Sequence, residues 1–300
     1  MRRRDACLLL GGAPLVRAET LERFEAGETC MGTMFRIVSY AAGPGVARAA
    51  AMAAFARARE LDGRLSDYKP DSELNRLCAS GRAIVSADLF AVLEAAVRVS
   101  QETRGAFDVT VGPLVRLWRE SRRTGSLPAP DVLLRARRST GWRRVRLDRA
   151  KREVVLRGSG MRLDLGGIAK GYAADEMLRV LRESGLPRSL AAAGGDIAVG
   201  AAPPGREGWT VQAAGGGRVA IVDSGISTSG DSEQFVEIGG RRYSHIVDPR
   251  TGLGSTQSRE VSVVAGRAMF SDAYATALCA MTEDEARRFA SSRPDLRVLK

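Results

Sequence analysis

Histidine is almost missing: His245 is the only one in 300 residues. Mechanisms that need two imidazoles, most zinc hydrolase sites among them, are thereby excluded. Cysteine is scarce and scattered, at Cys7, Cys30, Cys78 and Cys279, with no CxxC pair. That argues against a structural zinc site and against a dense disulfide scaffold. No stretch approaches the roughly 18 uninterrupted apolar residues of a membrane-spanning helix, which excludes a polytopic membrane protein. Aromatic residues make up only 5% and no nucleic-acid motif is present. A base-stacking platform is therefore disfavoured, and no nucleic-acid partner is expected. Lysine too is rare, at Lys69, Lys151, Lys170 and Lys300, so positive charge is carried by arginine.

What is present is the balance of a folded chain: 44% apolar, 27% charged, net charge +11. The length suits one large or two ordinary domains with a full core. The charge excess reads as a solvated, arginine-rich surface, with a polyanionic partner as the alternative. At the N-terminus Arg2, Arg3 and Arg4 precede a modest apolar run from Ala6 to Val16 and a small-x-small step at Val16-Arg17-Ala18. This is the order of a secretory signal, of the twin-arginine type by its adjacent arginines, so residues 1–18 read as a signal peptide and 19–300 as the working domain. The alternative is a disordered cytoplasmic tail.

Periodicity gives a coarse map. Residues 34–40 alternate as a strand, and an alanine-rich helix runs from about Val46 to Leu65. Ser86 caps a second helix that Gly105 ends. Residues 119–152 read as an arginine-rich surface excursion with a short helix and a hairpin pairing Val145–Leu147 with Glu153–Arg157. A third helix follows Gly166-Gly167. The period then switches to two: Ile197–Ala201, Trp209–Ala214, Val219–Val222, Phe235–Ile238, Tyr243–Val247 and Val261–Ala265 are expected strands, with Gly239-Gly240 as a hairpin turn. Ser271–Met281 is an apolar helix, and Thr282 with Glu285 forms a capping box for the last one. Strands joined by hairpins make the fold α+β with antiparallel sheet, not a Rossmann fold.

Three segments stand out chemically. In Leu163-Asp164-Leu165-Gly166-Gly167-Ile168-Ala169-Lys170-Gly171, glycines and a helix N-terminus resemble a phosphate site to which Lys170 adds a charge; a plain strand-to-helix turn is the alternative. His245 precedes an Asp248-Pro249-Arg250-Thr251-Gly252 turn and is a side chain able to accept a proton from a hydroxyl near neutral pH; a structural role is the commoner fate of a lone strand histidine and stays the alternative. Asp272 and Thr276 are four apart, so a helix places both oxygens on one face, a set suited to Mg2+ rather than zinc; an Asp in the first turn of a buried helix is the alternative. Gly105-Ala106-Phe107-Asp108 through Pro113, Ala193-Gly194-Gly195-Asp196 and Ser227-Thr228-Ser229-Gly230 read as turns. Phe107 has the ring to stack on a ligand, though a core position is the commoner fate.

Taken in order with Met31-Gly32-Thr33 and Ser66-Asp67-Tyr68, these segments resemble the ApbE family of FAD:protein FMN transferases from Cys30 to about Met281. The resemblance implies a two-lobed α+β fold of mostly antiparallel sheets packed by helices, with FAD in the cleft between the lobes. It implies transfer of the FMN half of FAD to a Thr or Ser hydroxyl of a target flavoprotein, with Mg2+ and with release of AMP. FAD contacts would fall on Met31, Tyr68, Ala106, Phe107, Asp108, Asp164, Lys170 and Ile246. Mg2+ would be held by Asp272, Thr276 and the carbonyls of Gly167 and Ala275, and His245 would be the base. Membrane proximity would come only through the target. Family members often continue past the last helix, whereas this chain ends at Lys300, so no motif specifies the C-terminal edge of the sheet. Two rivals share the motifs: an FAD pyrophosphatase giving FMN and AMP, and a non-catalytic FAD-binding protein.

Overall fold

The structure is a computed structural model that describes residues 20–230, 235–256 and 259–299. The expected signal segment lies outside the described residues. Among those residues no helix is long and apolar enough to cross a membrane.

Two long strands, β1 (Glu22–Cys30) and β2 (Thr33–Ala41), form a hairpin closed by Met31-Gly32. Helices α1 (Pro44–Leu65) and α2 (Glu73–Ser80), the short strand β3 (Arg82–Ile84) and α3 (Ala87–Glu102) follow. Then come α4 (Gly112–Thr124), α5 (Pro130–Arg138), the hairpin β4 (Val145–Asp148) and β5 (Glu153–Leu156), and α6 (Ala169–Glu183). The second half holds β6 (Ser189–Ala193), β7 (Asp196–Val199), β8 (Trp209–Gln212), β9 (Arg218–Ile221), β10 (Ser224–Gly230), β11 (Phe235–Ile238) and β12 (Arg241–Ser244). It closes with β13 (Glu260–Ala265), α7 (Ala268–Ala280), α8 (Glu283–Ser291) and β14 (Arg297–Leu299).

The main sheet has the order β1-β2-β6-β7-β10-β13-β14, antiparallel throughout. Its two faces are used differently, as the two-residue strand period requires. Phe35 and Ile37 of β2 point into the large core with α1, α6 and α7. Val38 and Tyr40 of the same strand pack on the opposite face against Trp209, Val211, Val219 and Ile221 of the β8–β9 hairpin. The α+β, antiparallel expectation therefore holds. A separate three-stranded sheet, β3-β5-β4, lies by α3.

Close backbone approach fixes the relation of α6 to α7. A Cβ on Gly171 would come within 2.4 Å of the Ala268 carbonyl oxygen, so the helices cross where only glycine fits. Asp88, buried on α3, accepts hydrogen bonds from Arg57 and Arg64 of α1 and, at 2.7 Å, from the Tyr172 hydroxyl of α6. This satisfied ion cluster ties the three helices together.

Several expectations are corrected. β1, α2, β3, β6 and β14 carry no strong sequence signal and are not among the expected elements. The stretch from Gly112 to Thr124, expected as turn and surface excursion, is an amphipathic helix that buries Leu114 and Trp118. Ser227–Gly230, expected as a turn, belongs to β10 inside the main sheet. The strand expected over Tyr243–Val247 stops at Ser244, leaving His245 in a bend. The C-terminal edge is filled by β14, paired to β13.

Candidate active site

Most of the expected metal and phosphate residues converge where α6, α7, β7 and β10 meet. Asp272, one turn into α7, is 2% exposed. Its Oδ2 accepts the Gly171 N–H at 3.1 Å, and its other oxygen accepts no hydrogen bond from the described residues. Burial first, and then the charge of Asp196, push its carboxyl up to about 7, an effect that Lys170 and the Gly171 N–H only partly offset. Thr276 lies one helical turn on. Its hydroxyl is 3.3 Å from that of Ser229 on β10. A Cβ on Gly167 would lie 2.8 Å from the same hydroxyl, so the Gly167 backbone sits directly against it. Ala275, on the intervening turn of α7, is fully buried.

Lys170 is placed differently from the expectation of an open anion site. Its Nζ donates to Asp196 Oδ2 at 2.5 Å. Burial alone would lower the ammonium's pKa, but Asp196 and Asp272 reverse this and hold it above the ordinary lysine value. The α6 N-terminus also finds its anion within the protein: the Gly171 N–H, in the first turn, is taken by Asp272. The glycine turn thus organises carboxylates as well as offering backbone.

The expected flavin residues form a second group. Tyr68 is 73% exposed, with the Arg119 guanidinium 4.3 Å from its ring centroid. Arg119 also donates to Asp67 at 2.6 Å and to Asp164 Oδ2 at 3.2 Å. Asp164 Oδ1 accepts the Gly166 N–H at 2.8 Å. Burial and then neighbouring Asp67 raise the Asp164 carboxyl above its usual range, against the pull of Gly166 and Arg119. The Asp164 N–H donates to Val109 O at 2.7 Å, which brings the 106–108 segment alongside. Ala106, Phe107 and Asp108 are all buried. Phe107 is a core ring, so the commoner fate of a phenylalanine applies. The Asp108 carboxylate is spent on Thr110 (N–H at 2.8 Å, hydroxyl at 2.7 Å) and on the Trp142 N–H at 2.9 Å. Any ligand contact by this segment would fall to its backbone. Gly166 and Gly167 link the flavin group to the metal group.

Met31 stands at the β1–β2 turn with φ 48°, followed by Gly32 at φ 74°. A two-residue turn between right-twisted strands needs positive φ at both positions, which a methionine adopts only with strain. The turn lies beside the 193–196 turn, where the Gly194 N–H donates to Met34 O at 3.1 Å.

His245 is half-buried, just past β12. Its neighbour Ile246 is buried in the main core, and Tyr243 and Val247 pack with Leu114 and Trp118 of α4. The Trp118 indole N–H donates to Gly252 O at 2.9 Å. Arg250 bonds Asp248 and, at 2.8 Å, Glu285 of α8. The loop is therefore fastened on both sides of His245. The Arg250 guanidinium, with the Thr282 N–H after it, pulls the Glu285 carboxyl down to about 2. A depressed carboxylate gives stability that is present above its unfolded value near 4.3 and is lost as pH falls from there to about 2. Glu285 is a third exposed, so solvent screening limits this to about 1 kcal/mol. Glu285→Gln should melt below the parent protein at pH 6, with the gap closing by about pH 2 to 3. A gap that persists in acid would show that the pair does not hold the loop.

Sequence reasoning passed over Asp196, Ser229 and Arg119. Asp196 and Ser229 sit in short motifs expected as turns, and Arg119 in an arginine-rich helix. Only their distant partners mark them.

Among the described residues no group of three or more His, Cys, Asp or Glu side chains is arranged to hold a metal. The set available at α7 is one carboxylate with an oxygen to spare, one hydroxyl and backbone carbonyls. That set fits Mg2+, which takes one or two carboxylates and completes its shell with water and substrate phosphates.

Comparison with known proteins places the chain as a whole. The family model described as "ApbE family" matches residues 31–299. A protein of Treponema pallidum named FAD:protein FMN transferase is 32% identical over 297 residues, covering 90% of this chain and 82% of that one. The crystal structure of the ApbE protein of Thermotoga maritima superposes with a TM-score of 0.84 at 26% identity, covering 93% of this chain and 94% of that one. The flavin transferase ApbE of Vibrio cholerae superposes with a TM-score of 0.80 at 28% identity, covering 93% of each. The chain belongs to the ApbE family.

Proposed function

We propose that this chain transfers the FMN part of FAD to a Ser or Thr hydroxyl of a target flavoprotein and releases AMP. The observation that carries the reading is the convergence of Gly167, Lys170, Asp196, Asp272 and Thr276, residues of three separated segments, in a member of this family. Asp272, Thr276 and the carbonyls of Gly167 and Ala275 would hold Mg2+. Bound there, the ion would neutralise pyrophosphate charge as a Lewis acid.

The protein's own groups do the remaining work. Tyr68 offers an exposed ring to a planar partner, and Asp164 stands beside it as an acceptor. Lys170 stays cationic at the carboxylates and keeps their net charge low enough for an anionic substrate. His245 takes the proton of the acceptor hydroxyl as its oxygen bonds to the FMN phosphorus. The phosphorus–oxygen bond to AMP breaks and AMP departs with the electron pair. Phosphoryl transfer of this kind rests on positioning and charge neutralisation, in keeping with a chain that has a single histidine.

The test is incubation with FAD, Mg2+ and candidate acceptor proteins, read by in-gel flavin fluorescence and mass spectrometry. Covalent FMN on an acceptor supports transfer; free FMN and AMP alone would assign the pyrophosphatase reaction, with water as the nucleophile. We also infer export, from Arg2–Arg4 and the apolar run behind them. N-terminal sequencing of protein from its host should find a start near Glu19. Met1 on the mature protein would remove that inference.

A further inference from the structure

Arg119 touches three groups that the chain brings from two distant segments. It lies on α4, next to Trp118, which points the other way into the His245 loop. Its guanidinium donates to Asp67 and Asp164 and covers one face of the Tyr68 ring. Each contact meets a need. Tyr68, 73% exposed, would swing freely on a surface turn without a partner. Asp67 and Asp164 repel one another, and Asp164 is mostly buried, so a cation between them is what keeps them together. A planar fork with several N–H donors can satisfy two carboxylates and still stack on an aromatic ring; an ammonium cannot do all three.

We propose that Arg119 is a positioning residue for FAD. It locks the Tyr68 ring and the Asp164 carboxylate into one rigid edge against which the flavin nucleotide binds. The inference rests on the function proposed above and deepens it. Pre-ordering the edge removes an entropy cost that binding would otherwise bear, so its loss should appear in affinity.

The experiment titrates FAD into the full chain without added metal, with EDTA present, so that no turnover intervenes. Flavin fluorescence gives the Kd, the flavin absorbance band reports stacking, and melting temperature reports folding. Arg119→Gln should weaken FAD about tenfold and reduce the absorbance shift while the protein still melts as one cooperative unit. Arg119→Lys should not restore binding, because it keeps the charge but not the fork. Tyr68→Ala should weaken FAD too, and adding Arg119→Gln to it should cost much less than in the parent, since the two act as a unit.

The inference is overturned if Arg119→Gln binds FAD like the parent. It is also overturned if Arg119→Lys binds normally, which would make Arg119 a simple charge toward the pyrophosphate, or if the two effects are additive. If affinity falls only in step with a collapsed melting temperature, Arg119 is structural and the inference fails. A parent chain that does not bind FAD at all would instead overturn the proposed function itself.

Discussion

His245→Ala should lose roughly 10²–10⁴-fold in transfer rate, the usual contribution of a positioned general base, while FAD binding changes little. The side chain stands in a bend after β12 on a loop held by Trp118 and by the Arg250–Glu285 pair, and truncating it leaves both of these fastenings in place. His245→Asn should behave like Ala, since an amide cannot take the proton. With no other histidine in the chain, no second imidazole can stand in for His245. Transfer rate, FAD Kd and melting temperature measured on the same variant decide the matter. An active variant, or one whose lost rate merely follows lost folding, refutes the role.

Asp272→Asn should remove Mg2+-dependent activity by more than about a hundredfold, beyond the 10–100-fold typical of residues that only orient a metal ligand. Asparagine keeps the volume and can still accept the Gly171 N–H, so the α6–α7 junction should stand. Burial and Asp196 make the Asp272 charge costly in the metal-free protein, and the neutral variant should therefore melt no lower than the parent. Mg2+ binding only to the native state raises its stability by mass action. Added Mg2+ with FAD should raise the parent's melting temperature and leave that of Asp272→Asn where it was. Full activity after exhaustive chelation, or an unchanged Mg2+ response in the variant, would sink the assignment.

Elements with strong local signals were legible. The α3 stripe with its Ser86 cap, the Gly239-Gly240 turn and the Thr282–Glu285 capping box all stand where the residues place them. Each depends on partners within a few positions, so the sequence itself contains the whole interaction. Elements built from small or polar residues were not legible. β10 begins Ser-Gly-Ile-Ser-Thr-Ser, which offers no clear alternation. It is a strand because β7 and β13 flank it, and Gly225 is there because a Cβ would strike Ala268 of α7 at 2.2 Å. α4 hides behind its arginines, since a helix so rich in charge shows its buried stripe only once Tyr243 and Val247 are placed against it.

The same division runs through the site. The sequence by itself determined which chemistry is open: one histidine, a hard-oxygen pair four residues apart on a helix, glycine turns, and motifs in an order specific to one family. Tertiary structure alone decided how those groups are used. It put Asp196 against Lys170, so the lysine serves buried carboxylates; it spent the Asp108 carboxylate on the protein's own loop; and it gave Arg119 the task of holding Tyr68 and Asp164. The reason is physical. Residue type and local spacing fix what a side chain can donate, accept or coordinate, but a charge or hydrogen bond is satisfied by whichever group folding brings within about 3 Å. For Asp196, Arg119 and Asp272 those groups lie 26, 45 and 101 residues away along the chain.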